Sequence, residues 1–367
     1  MTLSCATHTC AVYDRGGTTR LGPLDTVVSV RYERKRDDTS MATVTIQGPS
    51  WECQRLLEGT EPNRHELVIF RNGERVWEGP ISHIEYTPTE VNIEARDVTY
   101  YLFRLIRRTA TDASADPPPT LVAYMMQVLS TELARREAED PPVNVLPYVK
   151  GYLSANTATT HRVKPAYQNT VFEEIDDIAR YGGMDYTVVG RSILLSDVHT
   201  VFYQTPPVSE ADFMGPVIVT AYGLQHATYN AVTNGEGIFG TAGGPDPYYG
   251  HWETLYTATA EEGDTTPGNV DVMNRQALSG LVGMNPVPFL VRLPDGSQLN
   301  PNGALSIHDL VPGARIPLRA TLTARTFSMM QKLDHVEVSE DAGSTEQITV
   351  TLSTASAHDE PLTGTVP

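Results

Sequence analysis

The chain has 367 residues, 40% hydrophobic and 20% charged, which is enough apolar material for two or three cores and too much for wholesale disorder. No apolar run approaches the roughly 20 residues that cross a bilayer. Met1-Thr2-Leu3-Ser4-Cys5 lacks the basic start and apolar stretch of an export signal, so folding in a cytoplasm with no membrane anchor is expected. Lys and Arg total 27 against 45 Asp and Glu, a net charge of −18, which argues against a protein that grips nucleic acid by its phosphates.

The acidity is uneven. Residues 1–110 hold 14 basic and 15 acidic side chains, leaving 13 basic and 30 acidic for the rest. Three cysteines (Cys5, Cys10, Cys53) are too few for a disulfide framework in a chain this long. Cys5 and Cys10 flank His8, but no second ligand pair completes a four-coordinate zinc site, so no metal is expected.

In chain order, the first segment reads as β-structure. Runs 26–32, 42–47, 65–70, 75–79, 81–86 and 91–95 alternate apolar and polar residues at close spacing, the pattern of a sandwich or barrel. Asn72-Gly73 tolerates positive φ at both central positions of a hairpin turn. The basic end Arg31-Tyr32-Glu33-Arg34-Lys35-Arg36 runs straight into Asp37-Asp38, which suits a solvated strand end or a subunit contact better than a nucleic-acid patch. Asp112–Pro119 breaks the pattern with three prolines.

Thr120 then caps a helix over 121–136, with Leu121, Met125, Val128 and Leu129 on one face. A second helix spans 171–181, capped by Asn169 or Thr170 and ended by Gly182-Gly183, where left-handed backbone is allowed. A hairpin follows, 185–189 and 192–196 about a Gly190-Arg191 turn. Beyond Pro206-Pro207 strands return at 217–222 and 225–232, a glycine-rich loop occupies 234–250, and 270–279 reads as a short helix. Three strands close the chain at 315–322, 335–340 and 347–352. The organisation is thus α+β and β-rich: a β-domain over 1–110, a helix-hairpin module over 115–205, a second β-rich domain over 208–355 with a loop-rich insertion around 232–300, and a loose tail over 356–367.

Catalytic patterns are missing. His65-Glu66 begins a zinc-protease motif, but position 69 is Ile and the segment is a strand. There is no nucleophile elbow, phosphate loop or calcium loop, and Asp176 and Asp177 are adjacent on a helix and point apart. No catalytic residue and no cofactor is expected. Tyr248, Tyr249 and Trp252, in the glycine-rich loop, suit either a contact with a neighbouring subunit or stacking on a sugar ring.

Residues 31–108 resemble the N-terminal part of the minor tail proteins, or baseplate hubs, of actinobacterial siphophages. Arg36-Asp37-Asp38, Cys53, the stretch His65–Ile81 (HELVIFRNGERVWEGPI) and Asp97-Val98 carry the likeness. Residues 170–195 and 310–352 are similar to later parts of that family, in order. The resemblance implies two tail-tube-like β-domains with smaller mixed modules, and a non-enzymatic homotrimer closing the tail tube at the virion's tail tip. It further implies a distal tail protein ring, the tape-measure protein and downstream host-recognition proteins as partners, with genome DNA only passing through. A tail-associated peptidoglycan or glycan hydrolase and a host-glycan receptor-binding protein are the competing readings. The chain's end, soon after its last strand, leaves the hydrolase no room for an added domain.

Overall fold

The first segment holds strands β1 (His8–Asp14), β2 (Arg20–Leu24), β3 (Val27–Lys35), β4 (Met41–Gln47), β5 (His65–Arg71), β6 (Glu74–Tyr86) and β7 (Glu90–Arg96), of which alternation of apolar and polar side chains sets β3, β4 and β7. The computed structural model describes residues 7–112, 119–139, 148–152, 163–180, 184–197, 200–221, 226–233, 237–257, 289–292, 298–300, 303–323, 325–342 and 346–355, with single residues 270, 273, 274 and 277. Cys5 and the expected cap Gly182-Gly183 lie outside the described residues. In β4 the inward set is Ala42, Val44 and Ile46, each buried, while Thr43 and Thr45 face outward. Asn72 (φ 52°) and Gly73 (φ 83°) both adopt left-handed backbone in the β5–β6 turn, as their sequence requires.

Several features depart from the sequence pattern, strands β1 and β2 among them. Helix α1 (Trp51–Glu58) was not legible; Ser50 caps it by accepting the Cys53 N–H at 3.3 Å, and Cys53 and Leu57, one turn apart, face the core. The breaks expected near residue 80 and before residue 335 are absent. β6 runs unbroken through Pro80, which sits where the strand leaves β5 and joins β7, so its missing N–H falls at a handover.

The middle segment holds α2 (Tyr100–Phe103), β8 (Thr111–Asp112), α3 (Leu121–Glu139), β9 (Tyr148–Tyr152), β10 (Val163–Lys164), α4 (Val171–Arg180), β11 (Met184–Val189) and β12 (Ser192–Asp197). Thr170 and Glu173 form a reciprocal cap at the start of α4: the Glu173 N–H donates to the Thr170 hydroxyl at 3.2 Å, and the Thr170 N–H to the Glu173 carboxylate at 2.7 Å. The apolar stripes of α3 (Leu121, Met125, Val128, Leu129) and α4 (Val171, Ile175, Ile178) meet Tyr186, Val188, Ile193 and Leu195 of the hairpin in one core. β9 adds a parallel third strand beside β12.

The last segment holds β13 (Val208–Ser209), β14 (Ile218–Ala221), β15 (Tyr229–Thr233), β16 (Phe239–Gly243), β17 (Glu253–Thr257), β18 (Phe289–Arg292), β19 (Arg315–Leu322), β20 (Arg325–Asp341) and β21 (Gln347–Thr354). β16 lies inside the stretch expected to be loop. Its small residues show no hydrophobic alternation, and it is a strand because Asn230↔Ala242 and Val232↔Gly240 pair it with β15.

The first and last segments share one sheet, ordered β13-β19-β20-β3-β4-β7-β6-β5-β1-β2, with β21 also on β20. The 17 residues of β20 make this possible: the first half pairs with β19, the second with β3 on the same edge and with β21 on the other. Their apolar faces close one core that takes Val30, Tyr32, Val44 and Ile93 from the first segment and Leu318, Leu333, Val336 and Val338 from the last.

Candidate functional site

The basic end of β3 is divided by strand alternation. Arg34 points inward and is buried. Its guanidinium donates to the carbonyls of Ile307 (3.1 Å), Leu310 (3.2 Å) and Val76 (2.8 Å), tying both halves of the main sheet together. Arg31 and Lys35 point the other way, Arg31 against Glu337 (2.5 Å) and Lys35 against Glu33 (2.8 Å). Asp38 is exposed and lies 3.5 Å from Lys35.

Arg36 and Asp37 meet the helix-hairpin module. The Arg36 guanidinium donates to Asp334 and Asp185 (2.8 Å each) and to Asp37 (3.0 Å), and Lys332 closes on the other oxygen of Asp185. Asp37, at φ 56°, exchanges hydrogen bonds with Tyr186: its N–H donates to the Tyr186 carbonyl (2.9 Å) and its carboxylate accepts the Tyr186 N–H (2.8 Å). The Thr187 hydroxyl donates to the Lys35 carbonyl at 2.9 Å. Burial alone would raise the Asp185 carboxyl, but Lys332 and Arg36 hold it well below the usual carboxylate range. Burial and the adjacent Asp185 charge push the Asp37 carboxyl well up.

A second charged contact lies at the hairpin turn. Arg191 reaches Glu66 at 2.6 Å and Glu78 at 3.7 Å; both glutamates are buried, and the Tyr101 hydroxyl donates to Glu66 at 2.5 Å. Gly17 leaves the room: a β-carbon there would sit 2.9 Å from an oxygen of each glutamate, on backbone at φ +63°. In the sequence Glu66 stands out only as half of a zinc-protease motif and Arg191 only as a turn residue, and no motif marks Asp185 or Lys332. The available signal was a lone charge inside a strand that is otherwise buried, in HELVIF and MDYTVV.

Glu33, His335 and Glu337 bring ligand atoms within 4.8 Å of one another. Lys35 and His335 already engage Glu33, and Arg31 engages Glu337, so the group reads as an ion network of the sheet face.

In the three-stranded sheet β16-β15-β17 the loop before β17 is built on Asp246. Its carboxylate accepts the N–H groups of Tyr248 and Tyr249 at 2.7 Å each, and Asp246 and Gly250 exchange backbone hydrogen bonds. The Trp252 indole N–H donates to the Tyr249 carbonyl at 2.7 Å. This hydrogen-bonded turn leaves Tyr248 87% and Trp252 58% exposed, while Tyr249 is half-buried against His226.

No protein-family profile matches the sequence, and no curated protein matches it. The shape does find counterparts. The prophage MuSo2 43 kDa tail protein from Shewanella oneidensis superposes with a TM-score of 0.60 at 10% identity, over 95% of this chain and 98% of that one. Prophage tail protein gp18 from Listeria monocytogenes EGD-e gives 0.59 at 9% identity, over 93% and 94%. The E. coli c3393 protein, a component of the type VI secretion system with structural similarity to T4 bacteriophage tail proteins gp27 and gp5, gives 0.50 at 10% identity, over 97% and 80%. The fold is that of phage tail proteins.

Within this tail-protein fold one surface stands apart. The outward face of β21-β20-β3-β4-β7-β6 is polar across six strands, and its cross-strand neighbours run Thr351, His335, Lys35, then Thr349, Glu337, Glu33, with Arg31, Thr43, Glu94 and His83 continuing the row. Among the described residues six carboxylates of this face (Glu33, Glu85, Glu90, Glu94, Glu337, Asp341) stand against three cations (Arg31, Lys35, Arg96). The opposite side of the same strands is the apolar core.

Proposed function

We propose that the chain is a non-enzymatic structural subunit of a phage tail tip, a baseplate hub of the siphophage minor-tail type. The observation that carries this reading is end-to-end correspondence with tail proteins, over more than nine-tenths of both chains in the two first comparisons. In the hub, three copies close the tail tube, docked on a distal tail ring and around the tape-measure protein, with host-recognition proteins beyond. The polar face of the main sheet lines the bore. Its excess of carboxylates repels DNA phosphates over about 8 Å at physiological ionic strength, so the genome passes without sticking. Asp38, exposed at the end of β3 beside Lys35, faces the neighbouring subunit.

The test is an electron cryo-microscopy map of the tail tip of the parent phage. The reading expects three copies in a ring, with β20, β3 and β4 toward the bore. Tails that lack the polypeptide would overturn it, and a bore lined by Lys and Arg would overturn the channel assignment alone. An assembly assay on Asp38→Lys checks the subunit contact separately: tails forming at the normal yield remove that assignment. The exposure of Tyr248 and Trp252 on a hydrogen-bonded turn favours one addition, a contact made by this loop with a host glycan or a neighbouring tail protein. Host-cell binding by wild type and Tyr248→Ala/Trp252→Ala separates the two partners.

A further inference from the structure

The main sheet and the helix-hairpin module each close an apolar core, and among the described residues none belongs to both. Among the described residues, ion pairs and hydrogen bonds join the two bodies, the Tyr101–Glu66 bond among them. At one end of the hairpin the module contributes an anion, Asp185, to a pocket of Arg36 and Lys332; at the other it contributes a cation, Arg191, to a pocket of Glu66 and Glu78. The signs are reciprocal, so neither body carries a surplus that would bind the other unspecifically. The strand-like contact is short, one bridge between Arg36 and Thr187.

The chain crosses between the bodies twice, and both crossings are pinned on the main-sheet side. Asp97 exchanges hydrogen bonds with Ser40: its N–H donates to the Ser40 carbonyl (3.0 Å), and its carboxylate accepts the Ser40 N–H (2.7 Å). At the return, the Thr205 N–H donates to the Arg315 carbonyl and the Arg315 N–H to the Tyr203 carbonyl, 2.9 Å each.

We infer that the described residues between 98 and 197 form a separable rigid body held on the main sheet by a two-point ionic latch, Asp185 and Arg191, and that it turns about the pinned crossings at Asp97 and Tyr203–Thr205 when the latch is open. The latch is specific because each charge is desolvated and meets its partner in one geometry. It is releasable because no shared apolar core backs it. The inference stands on the chain alone. If the hub reading also holds, the latch gives a tail tip a part that reorients while the sheet lining the bore keeps its ladders.

Hydrogen exchange on the full-length protein, wild type against Asp185→Asn/Arg191→Gln, tests it. Two amides report the joint: Tyr186 N–H, which donates to Asp37, and Asp37 N–H, which donates to Tyr186. The body's own integrity is reported by amides of the β11–β12 ladder and of α3. The expected result is exchange at the two joint amides faster by about tenfold or more, with ladder and α3 protection unchanged. Unchanged joint amides would show that the two side chains hold nothing. Joint, ladder and α3 losing protection together would show that the module is not a body of its own. Either result overturns the inference, and neither touches the hub reading.

Discussion

Two joints bring distant parts of the sequence together, and they are built from different materials. Between β3 and β20 the contact is a seven-residue ladder, His335↔Lys35 to Asp341↔Ser29, backed by the buried Val30, Tyr32, Val336 and Val338. Between β11 and the end of β3 it is one bridge, a pair of hydrogen bonds and a cluster of charges. The first joint cannot open without exposing apolar surface and ladder groups at once, so it melts with the sheet. The second exposes mainly groups that water can solvate. A non-directional apolar core fuses segments, whereas paired charges register them and leave them separable.

The sharpest way to break the comparison is to put a charge into the first joint. Val338 is 1% exposed and sits beneath the β3–β20 ladder. Val338→Asp places a carboxylate there with no partner, a cost of about 5 kcal/mol or more, comparable to the stability of a whole domain. Chemical denaturation should show the first and last segments unfolding together, or the protein failing to fold. A variant that keeps wild-type stability would mean the two segments are not one cooperative unit.

Arg34→Ala ranks next. It leaves the carbonyls of Ile307, Leu310 and Val76 without their donor, a loss of about 3 kcal/mol. Arg34→Lys should recover only part, because a single ammonium cannot reproduce the guanidinium fork that reaches both chain segments. Equal stability of the Lys and wild-type proteins in urea would contradict the strut role.

At the second joint the two aspartates have opposite pH signatures. Asp185 is held low, so its contribution is complete above about pH 4 and is lost as pH falls through its depressed value. Asp37 is pushed up by burial and by Asp185, so folding binds a proton there. Its share of stability therefore grows as pH falls from neutrality through its raised value toward about 4. Stability, read as melting temperature, should rise more for wild type than for Asp37→Asn as pH is lowered through that raised value toward about 4. Parallel curves for the two proteins would sink the assignment.

The first joint was partly readable and the second was not, for a physical reason. Alternation placed β3, β4, β5, β7, β11, β12 and β19 close to their observed bounds, and Asn72-Gly73 gave its turn outright. That pattern reports which face of a strand is apolar. It does not report which strand lies alongside, so nothing in residues 335–340 announced a 17-residue strand bridging two segments. The charged joint is less legible still. Arg36 and Asp37 stand out in the sequence as part of a charged run, while the partners of Arg36, Asp185 and Asp334, lie about 150 to 300 residues away with no local signature, as does the Lys332 that closes on Asp185. Arg34 belonged to the same run but serves the core, since alternation turns it inward between Glu33 and Lys35.

A surface used by neither joint supplies the smallest stability effect and the most direct test of the bore. On β6 and β7, Glu85 and Glu94 face outward on the polar side of the main sheet, and no ion pair holds either among the described residues. Glu85→Lys/Glu94→Lys turns six carboxylates against three cations into four against five, so the described charges of that face change from −3 to +1. Stability should move by no more than about 0.5 kcal/mol per site, because exposed charges are screened and their pairs weak. DNA affinity should respond far more. Wild type should give no retention on DNA near physiological salt, while the variant should acquire binding that falls steeply as salt rises, since each phosphate neutralised releases counterions. Variant-bearing tails should then eject their genome more slowly than wild-type tails at equal assembly yield. Tight DNA binding by the wild-type protein at that salt, or ejection unaffected by the reversal, would remove this face from the channel wall and leave the two joints standing as described.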